Sequence, residues 1–290
     1  MFLPDFDYYA PESLNEAIGL LARLGPSARV LAGGTDILVK MKNGLLAPPA
    51  LVSLKNLREL RRIRWDADRG LSIGALATHN EICDSPVVQE HFLSLSEAAH
   101  KLANNQVRNR GTIGGNLVNA IPSADLPPIL IALRAFVMLT GPEGSRTVPV
   151  EDFFTGVSSC ALKPEGEILT EVVIPPQETT GSTYLKFGLR RSGALAVVGV
   201  AAAVTMEGSV VKDARICLGA VYKVPTRAIQ AEQVLIGRRW TADLLEQAGR
   251  TAVGCCLPIS DILGSAEYRR DLVRIYTRRA LQRAITQGHV

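Results

Sequence analysis

Two short stretches carry residue types that bind anions. "RVLAGGTDILVK", residues 29–40, runs an apolar segment into Gly33 and Gly34, then Thr35 and Asp36, then apolar residues again. "RGTIGGNLVNA", residues 110–120, repeats that chemistry with Gly114, Gly115 and Asn116. Without a Cβ, glycine lets the backbone turn sharply and present amide hydrogens to a ligand at close range. Thr35, Asp36 and Asn116 are residues that cap helices, so a helix starting near Ile37, and another after the second loop, would aim unpaired amides at whatever fills the turn. Either loop alone is equally an ordinary strand-to-helix turn. Together they read as two backbone nests that face each other and hold a diphosphate, one phosphate each, which points to a dinucleotide. Neither loop has the spacing G-x-G-x-x-G or G-x-x-x-x-G-K-[ST], so a Rossmann or P-loop assignment lacks its defining pattern.

Other polar residues surround the loops. Thr112 and Asn119 offer side-chain donors beside the second one. Asp125, in "NAIPSADLPP", either accepts hydrogen bonds from ligand hydroxyls or caps a helix beginning at Leu126, whose first turn tolerates the two prolines. On residues alone Lys186 reads as a surface strand lysine. His79, His91, His100 and His289 show no ligand spacing and receive no catalytic role. Cys83, Cys160, Cys217, Cys255 and Cys256 form no CxxC pair, so no zinc or iron-sulfur site is legible and the thiols are expected to be reduced.

The elements that must position these residues follow from periodicity. "SLNEAIGLLARL", residues 13–24, opens with Ser13 and has Glu16 three residues on, a capping box before an amphipathic helix. "ARVLAG" reads as a buried strand leading into the first loop. "ALVSLKNLREL" and "LSIGALAT" are strand candidates, and "EHFLSLSEAAHKLAN" is a helix delivering the chain to the second loop. From about residue 146 strands follow in succession, in "RTVPVEDFF", "EILTEVVIP" and "STYLKFGLR". A hairpin crosses Glu207-Gly208-Ser209, and the chain after Pro225 turns helical. Pro175-Pro176 to Gly181 is the expected linker, giving domains 1–176 (subdomains about 1–55 and 56–176) and 177–290.

At 290 residues the chain has room for two domains. A net charge of +4 from 32 basic and 28 acidic residues is too near balance to mark a nucleic-acid binder. Arg269, Arg270, Arg274, Arg278, Arg279 and Arg283 in the last helix read as a solvated or partner-facing basic side. "ALAVVGVAAAV" and "LPPILIALRAFVML" are too short to span a bilayer, and no export signal is visible, so a cytoplasmic location is expected.

"AGGTD" at 32–36 with "TIGGN" at 112–116, the early "FDYYAPESLNEA" and the late "SAEYRR" at 265–270 occur in the order, and over nearly the whole chain, in which they resemble the FAD-binding medium subunit of the molybdenum hydroxylases. That is the xanthine dehydrogenase and carbon monoxide dehydrogenase family. The resemblance implies an α+β chain: a two-subdomain FAD-binding domain of the vanillyl-alcohol-oxidase (PCMH) type, followed by a smaller α+β C-terminal domain of the CO dehydrogenase flavoprotein type. It implies FAD in this chain, a large subunit with the molybdenum-pterin cofactor, a small subunit with two [2Fe-2S] clusters, and a dimer of heterotrimers. Electrons would pass from the clusters to the flavin and on to an external acceptor, with no catalytic residue for the organic substrate in this chain.

Carried over by position, the cofactor would be held by Arg29, Val30, Leu31, Ala32, Gly33, Gly34, Thr35 and Asp36, then by Gly111, Thr112, Ile113, Gly114, Gly115, Asn116 and Asn119, together with Leu102, Asp125, Leu169 and Lys186. Asp125 would meet the adenosine ribose or a neighbouring polar group, and Lys186 the flavin ring system, where a positive charge stabilises the anionic reduced form. Where the family often has an acidic residue and an aromatic one, this chain reads Ser192-Gly193-Ala194-Leu195-Ala196, so Leu195 can cover the flavin only apolarly. No cysteine cluster for an extra [4Fe-4S] centre exists, which disfavours a 4-hydroxybenzoyl-CoA reductase. The rival classes are a stand-alone FAD-dependent oxidase or reductase with its own substrate pocket, and a non-enzymatic nucleotide-binding scaffold.

Overall fold

A computed structural model describes residues 2–163 and 166–287; His289 lies outside them. The first lobe is built from β1 (Asp7–Tyr9), α1 (Leu14–Leu24), β2 (Arg29–Leu31), α2 (Ile37–Lys42) and β3 (Ala50–Ser53). Its three strands are parallel in the order β1-β3-β2. Helix α1 starts as its sequence dictates: the Ser13 hydroxyl accepts from the Glu16 amide at 3.2 Å, and the Glu16 carboxylate reaches back to the Glu12 amide at 2.8 Å. Ala17, Ile18 and Leu21 then fall on one face and meet Val52 and Leu54 in a small separate core. The expected buried strand at "ARVLAG" differs in one respect. Arg29 is exposed and Val30 and Leu31 are only half-buried, because one side of β2 borders a cavity.

The second lobe contains β4 (Ile63–Asp66), β5 (Gly70–Gly74), α3 (His79–Asp84), α4 (Pro86–Lys101), α5 (Asn105–Arg108), α6 (Ile113–Asn119), α7 (Leu126–Ala132), β6 (Phe136–Gly141), β7 (Gly144–Pro149), α8 (Val150–Phe153), β8 (Phe154–Gly156), β9 (Ser159–Cys160) and β10 (Ile168–Ile174). Its antiparallel sheet runs β4-β5-β10-β6-β7. "RTVPVEDFF", read as one strand, divides into β7, the short helix α8 and the start of β8.

The chain then crosses to β11 (Gly181–Phe187), β12 (Val198–Glu207), β13 (Val210–Gly219) and β14 (Thr226–Arg227), an antiparallel meander carrying α9 (Ile229–Leu235), α10 (Ala242–Ala252) and α11 (Ala266–Gln287). The apolar run in β12 is buried on both sides. Val200, Ala202 and Val204 pack with Leu281 and Ala284 of α11, while the intervening Ala201 and Ala203 belong to the core of the second lobe. Side chains alternate across a strand, so a sheet sandwiched between helices needs such an unbroken run.

Five ion pairs among the described residues add to this seam: Glu97 with Arg283, Asp125 with Lys186, Arg134 with Asp213, and Glu151 with both Arg215 and Arg227. The arginines of α11 are accordingly less solvated than expected. Arg269 is buried against Asp261 and the carbonyls of Val197 and Ala220, and Arg274 and Arg278 both reach Glu246. Cys256 is core filler, and Cys255 ends a 3-10 turn with its thiol on Gln230. No helix among the described residues is long and apolar enough to cross a membrane.

Candidate functional site

A cavity of about 810 Å³ lies between the first lobe and the second, within the size range of ligand sites. Its wall includes Arg29, Val30, Ala32, Gly33, Gly34, Thr35, Asp36, Leu102, Gly111, Thr112, Gly114, Gly115, Asn116, Asn119, Asp125 and Leu169. Sixteen of the residues singled out from sequence thus converge on one space. Leu31, Ile113 and Lys186 do not line it. Ile113 is fully buried in the second lobe, Leu31 lies behind the loop with its carbonyl bonded to the Leu54 amide, and Lys186 is engaged elsewhere.

The two glycine loops touch. A Cβ on Gly33 would sit 1.9 Å from the Arg110 carbonyl oxygen, so only glycine permits this approach. Their amides have different fates. Those of Gly33, Gly34, Thr35, Asp36 and Ile37 have no acceptor among the described residues. In the second loop Gly111 donates to Val107 O, Ile113 to Ala77 O, Gly114 to Ala75 O and Asn116 to Thr112 O, at 2.6 to 3.0 Å. Gly115 donates to the Thr112 hydroxyl at 3.1 Å. The expected pair of equal nests is therefore unequal: the first loop keeps its donors, and the second is fastened to β5 and α5 as a rigid wall. Gly114 serves packing, since its Cβ would lie 2.8 Å from the Ala75 side chain.

The caps differ from expectation too. Thr112, not Asn116, caps α6. Asp36 precedes α2 without capping it; its carboxylate accepts from the Asn119 side-chain amide at 2.7 Å, across the join of the loops. That amide's oxygen accepts from Lys40 Nζ at 2.7 Å. Asn119 thus bolts the two lobes together.

Asp125 does not cap α7 either. It is buried, and its carboxylate accepts from Tyr184 Oη and from Lys186 Nζ, both at 2.8 Å. Burial pushes the Asp125 carboxyl up from its usual range, opposed by the charge and hydrogen bond of Lys186 and by the Tyr184 hydroxyl. Burial next to that carboxylate raises Tyr184 well above the usual phenol, so it remains a donor. Asp125 and Lys186, expected at separate parts of the ligand, are bonded to each other.

Three features of the wall carried little sequence signal. His79, fully buried at the start of α3, has no partner for Nδ1, and burial followed by the nearby Arg108 charge lowers its pKa to about 4, so it is neutral at pH 7. Lys40 lies four residues after Asp36, a helical spacing that would have flagged it. Ser158, Leu162 and Glu167 also line the cavity, and the Arg146 guanidinium donates to both Glu167 oxygens at 2.6 and 2.8 Å. Gly193, Ala194 and Leu195 of the C-terminal domain reach the cavity, the Gly193 amide bonding to Ala103 O at 2.8 Å. Leu195 is 57% exposed there, an apolar cover free on one side.

Five amides free among the described residues suit an anionic centre, the unpartnered and buried Asn116 Oδ1 suits a donor such as a ligand hydroxyl, and the apolar surface at Leu102, Leu169, Val30 and Leu21 suits apolar rings. The residues fit a flavin dinucleotide.

Comparison with known proteins gives the same answer. Residues 4–177 match the FAD binding domain in molybdopterin dehydrogenase, and residues 183–284 the CO dehydrogenase flavoprotein C-terminal domain. The carbon monoxide dehydrogenase medium chain of Hydrogenophaga pseudoflava is 36% identical over 285 residues, covering 98% of each chain. The glyceraldehyde dehydrogenase medium chain of Sulfolobus acidocaldarius is 33% identical over 97% of this chain and 99% of its own. Among solved structures, carbon monoxide dehydrogenase from Hydrogenophaga pseudoflava superposes with a TM-score of 0.95 at 37% identity, covering 99% of each chain. Quinoline 2-oxidoreductase from Pseudomonas putida 86 superposes at 0.94 with 34% identity over the full length of both.

Proposed function

This chain belongs to the FAD-binding medium subunits of the molybdenum hydroxylase family, and from that premise we propose that it is the electron-transfer subunit of a cytoplasmic molybdenum-containing dehydrogenase. Its partners in this reading are a molybdenum-pterin large subunit and a small subunit with two [2Fe-2S] clusters, arranged as a dimer of heterotrimers. The observation that carries the reading is the run of five amides from Gly33 to Ile37, unpaired among the described residues, along a cavity that Gly111 also lines.

FAD held here would supply a store that fills with electrons from one-electron centres and empties to an acceptor as one or two. The residues of this chain bind and orient it. The Gly33–Ile37 amides and the Thr112 amide would meet the diphosphate, charge-assisted bonds being roughly twice as strong as neutral ones. Asp125 and Lys186 together would serve the flavin end, beside Leu102 and the segment Gly193–Leu195. The Lys186 charge would act there through Asp125 and raise the flavin's reduction potential less than a bare ammonium. The apolar patch of Leu21, Val30 and Ile168 at the other end would take the adenine. We place the domain boundary at residue 176, in the Pro175–Thr180 crossing between two sheets.

The test is co-expression with a molybdenum-pterin large subunit and a [2Fe-2S] small subunit of this family from the same organism. Stoichiometric FAD in a three-subunit complex, whose flavin is reduced by way of the iron-sulfur centres, is the expected result. A colourless chain, or a flavoprotein that turns over a substrate without partners, would overturn the reading.

A further inference from the structure

The cavity wall holds one cation that the site as described leaves unused. Lys40 lies on α2 one turn beyond the free amides, and among the described residues its Nζ donates only to the neutral Asn119 Oδ1, at 2.7 Å. Three other charged side chains in the wall have counter-ions: Asp125 has Lys186, Glu167 has Arg146, and Lys163 has Glu143 at 3.3 Å. Arg29 turns its guanidinium onto the carbonyls of Pro26 and Ala28. Lys40 has no carboxylate within ion-pair distance among the described residues, although its charge lies close to Asp36 through the shared Asn119 amide.

This juxtaposition has an electrostatic consequence. A dianionic ligand on the Gly33–Ile37 amides comes next to the Asp36 carboxylate, which repels it, and a nearby cation offsets that repulsion with a full charge, which the amide dipoles lack. An ammonium has three N–H donors, and Asn119 accepts one. Two remain for phosphate oxygens. We propose that Lys40 is the counter-ion of the cofactor's diphosphate, with Asn119 holding its ammonium at the cavity wall before the cofactor arrives. The inference rests on reading the cleft as an FAD site and adds to it the group that neutralises the ligand.

The test titrates flavin-free protein with FAD and with riboflavin, which has the ring system and no diphosphate, at several salt concentrations. Wild type, Lys40→Met, Lys40→Arg and the double variant Lys40→Met with Asp36→Asn are compared by flavin fluorescence. One lost charge-assisted bond weakens Lys40→Met for FAD by about ten- to a hundredfold. The variant also shows a shallower fall of FAD affinity with salt. Its riboflavin affinity stays within about twofold of wild type, Lys40→Arg recovers most of the FAD affinity, and Asp36→Asn recovers part of it. Lys40→Met binding FAD with wild-type affinity and salt dependence overturns the inference, as does an equal loss for FAD and riboflavin, which would make Lys40 a structural prop. A wild-type chain that takes up no FAD overturns the site reading itself, and this inference with it.

Discussion

Replacing Gly33 should empty the site without unfolding the protein. A Cβ there would lie 1.9 Å from the Arg110 oxygen, 2.7 Å from its carbonyl carbon and 3.1 Å from the Gly111 α-carbon, all backbone atoms. Ordinary carbon contacts begin near 3.5 Å, so the loops must separate by roughly 1.5 Å to admit even alanine. Hydrogen bonds tolerate only a few tenths of an ångström around their optimum. A shift that breaks two charge-assisted bonds at about 1.5–3 kcal/mol each lowers FAD affinity by about two to four orders of magnitude. The packing of the first lobe, around Ala17, Ile18 and Val52, lies away from the loop and is untouched. Gly44→Ala is the control. Gly44 has φ +70° and nothing within 4 Å of a Cβ, so alanine there costs about 1 kcal/mol of backbone strain and leaves the cavity alone. Flavin content as purified, an FAD titration and a thermal melt decide the matter. Compared free of flavin, Gly33→Ala should melt near wild type and Gly44→Ala a few degrees lower, while only Gly33→Ala loses FAD affinity. Wild-type FAD affinity in Gly33→Ala, or equal loss in Gly44→Ala, would refute the reasoning.

Tyr184→Phe removes one of the two donors to Asp125 and should cost about 1.5–3 kcal/mol at pH 7. The Asp125 carboxyl already lies above its usual range, so its ionisation costs stability that returns as pH falls toward that range. The deficit of Tyr184→Phe should shrink in urea melts at pH 4, and equal deficits at both pH values would contradict this. His79 works the other way. Its folded-state pKa of about 4 lies below the ordinary value near 6.5, so below pH 6.5 the unfolded chain binds a proton that the folded one refuses. Between pH 7 and pH 5 wild type should lose about 2 kcal/mol more than His79→Gln; parallel pH profiles would show that His79 protonates freely.

Much of the site was legible because glycine pairs and the polar residues beside them are local signals. The loops were found, and so was Ser13 with Glu16 at the start of α1. What local patterns cannot show is which partner a polar group chooses. Asp36 and Asn116 have the chemistry of caps, yet the bond across the lobes to Asn119 takes Asp36, and Thr112 reaches the Gly115 amide before Asn116 can act. Asp125 and Lys186 are 61 residues apart, and only the packing of α7 against β12 and β13 brings β11 close enough to join them. His79 carried no signal at all, because its neutrality comes from burial by a loop some thirty residues further along the chain. The double burial of β12 was visible only as an apolar run, whose two faces belong to different cores.

The central claim is that electrons leave the complex through the flavin in this cleft. The direct measurement compares complexes assembled with the wild-type chain and with Gly33→Ala, reduced anaerobically and then mixed with an electron acceptor, while the flavin and iron-sulfur absorption are followed separately. The account predicts that wild type reduces its clusters, then its flavin, then the acceptor, whereas the Gly33→Ala complex reduces its clusters and stops. Acceptor reduction at the wild-type rate by the flavin-depleted complex would contradict it.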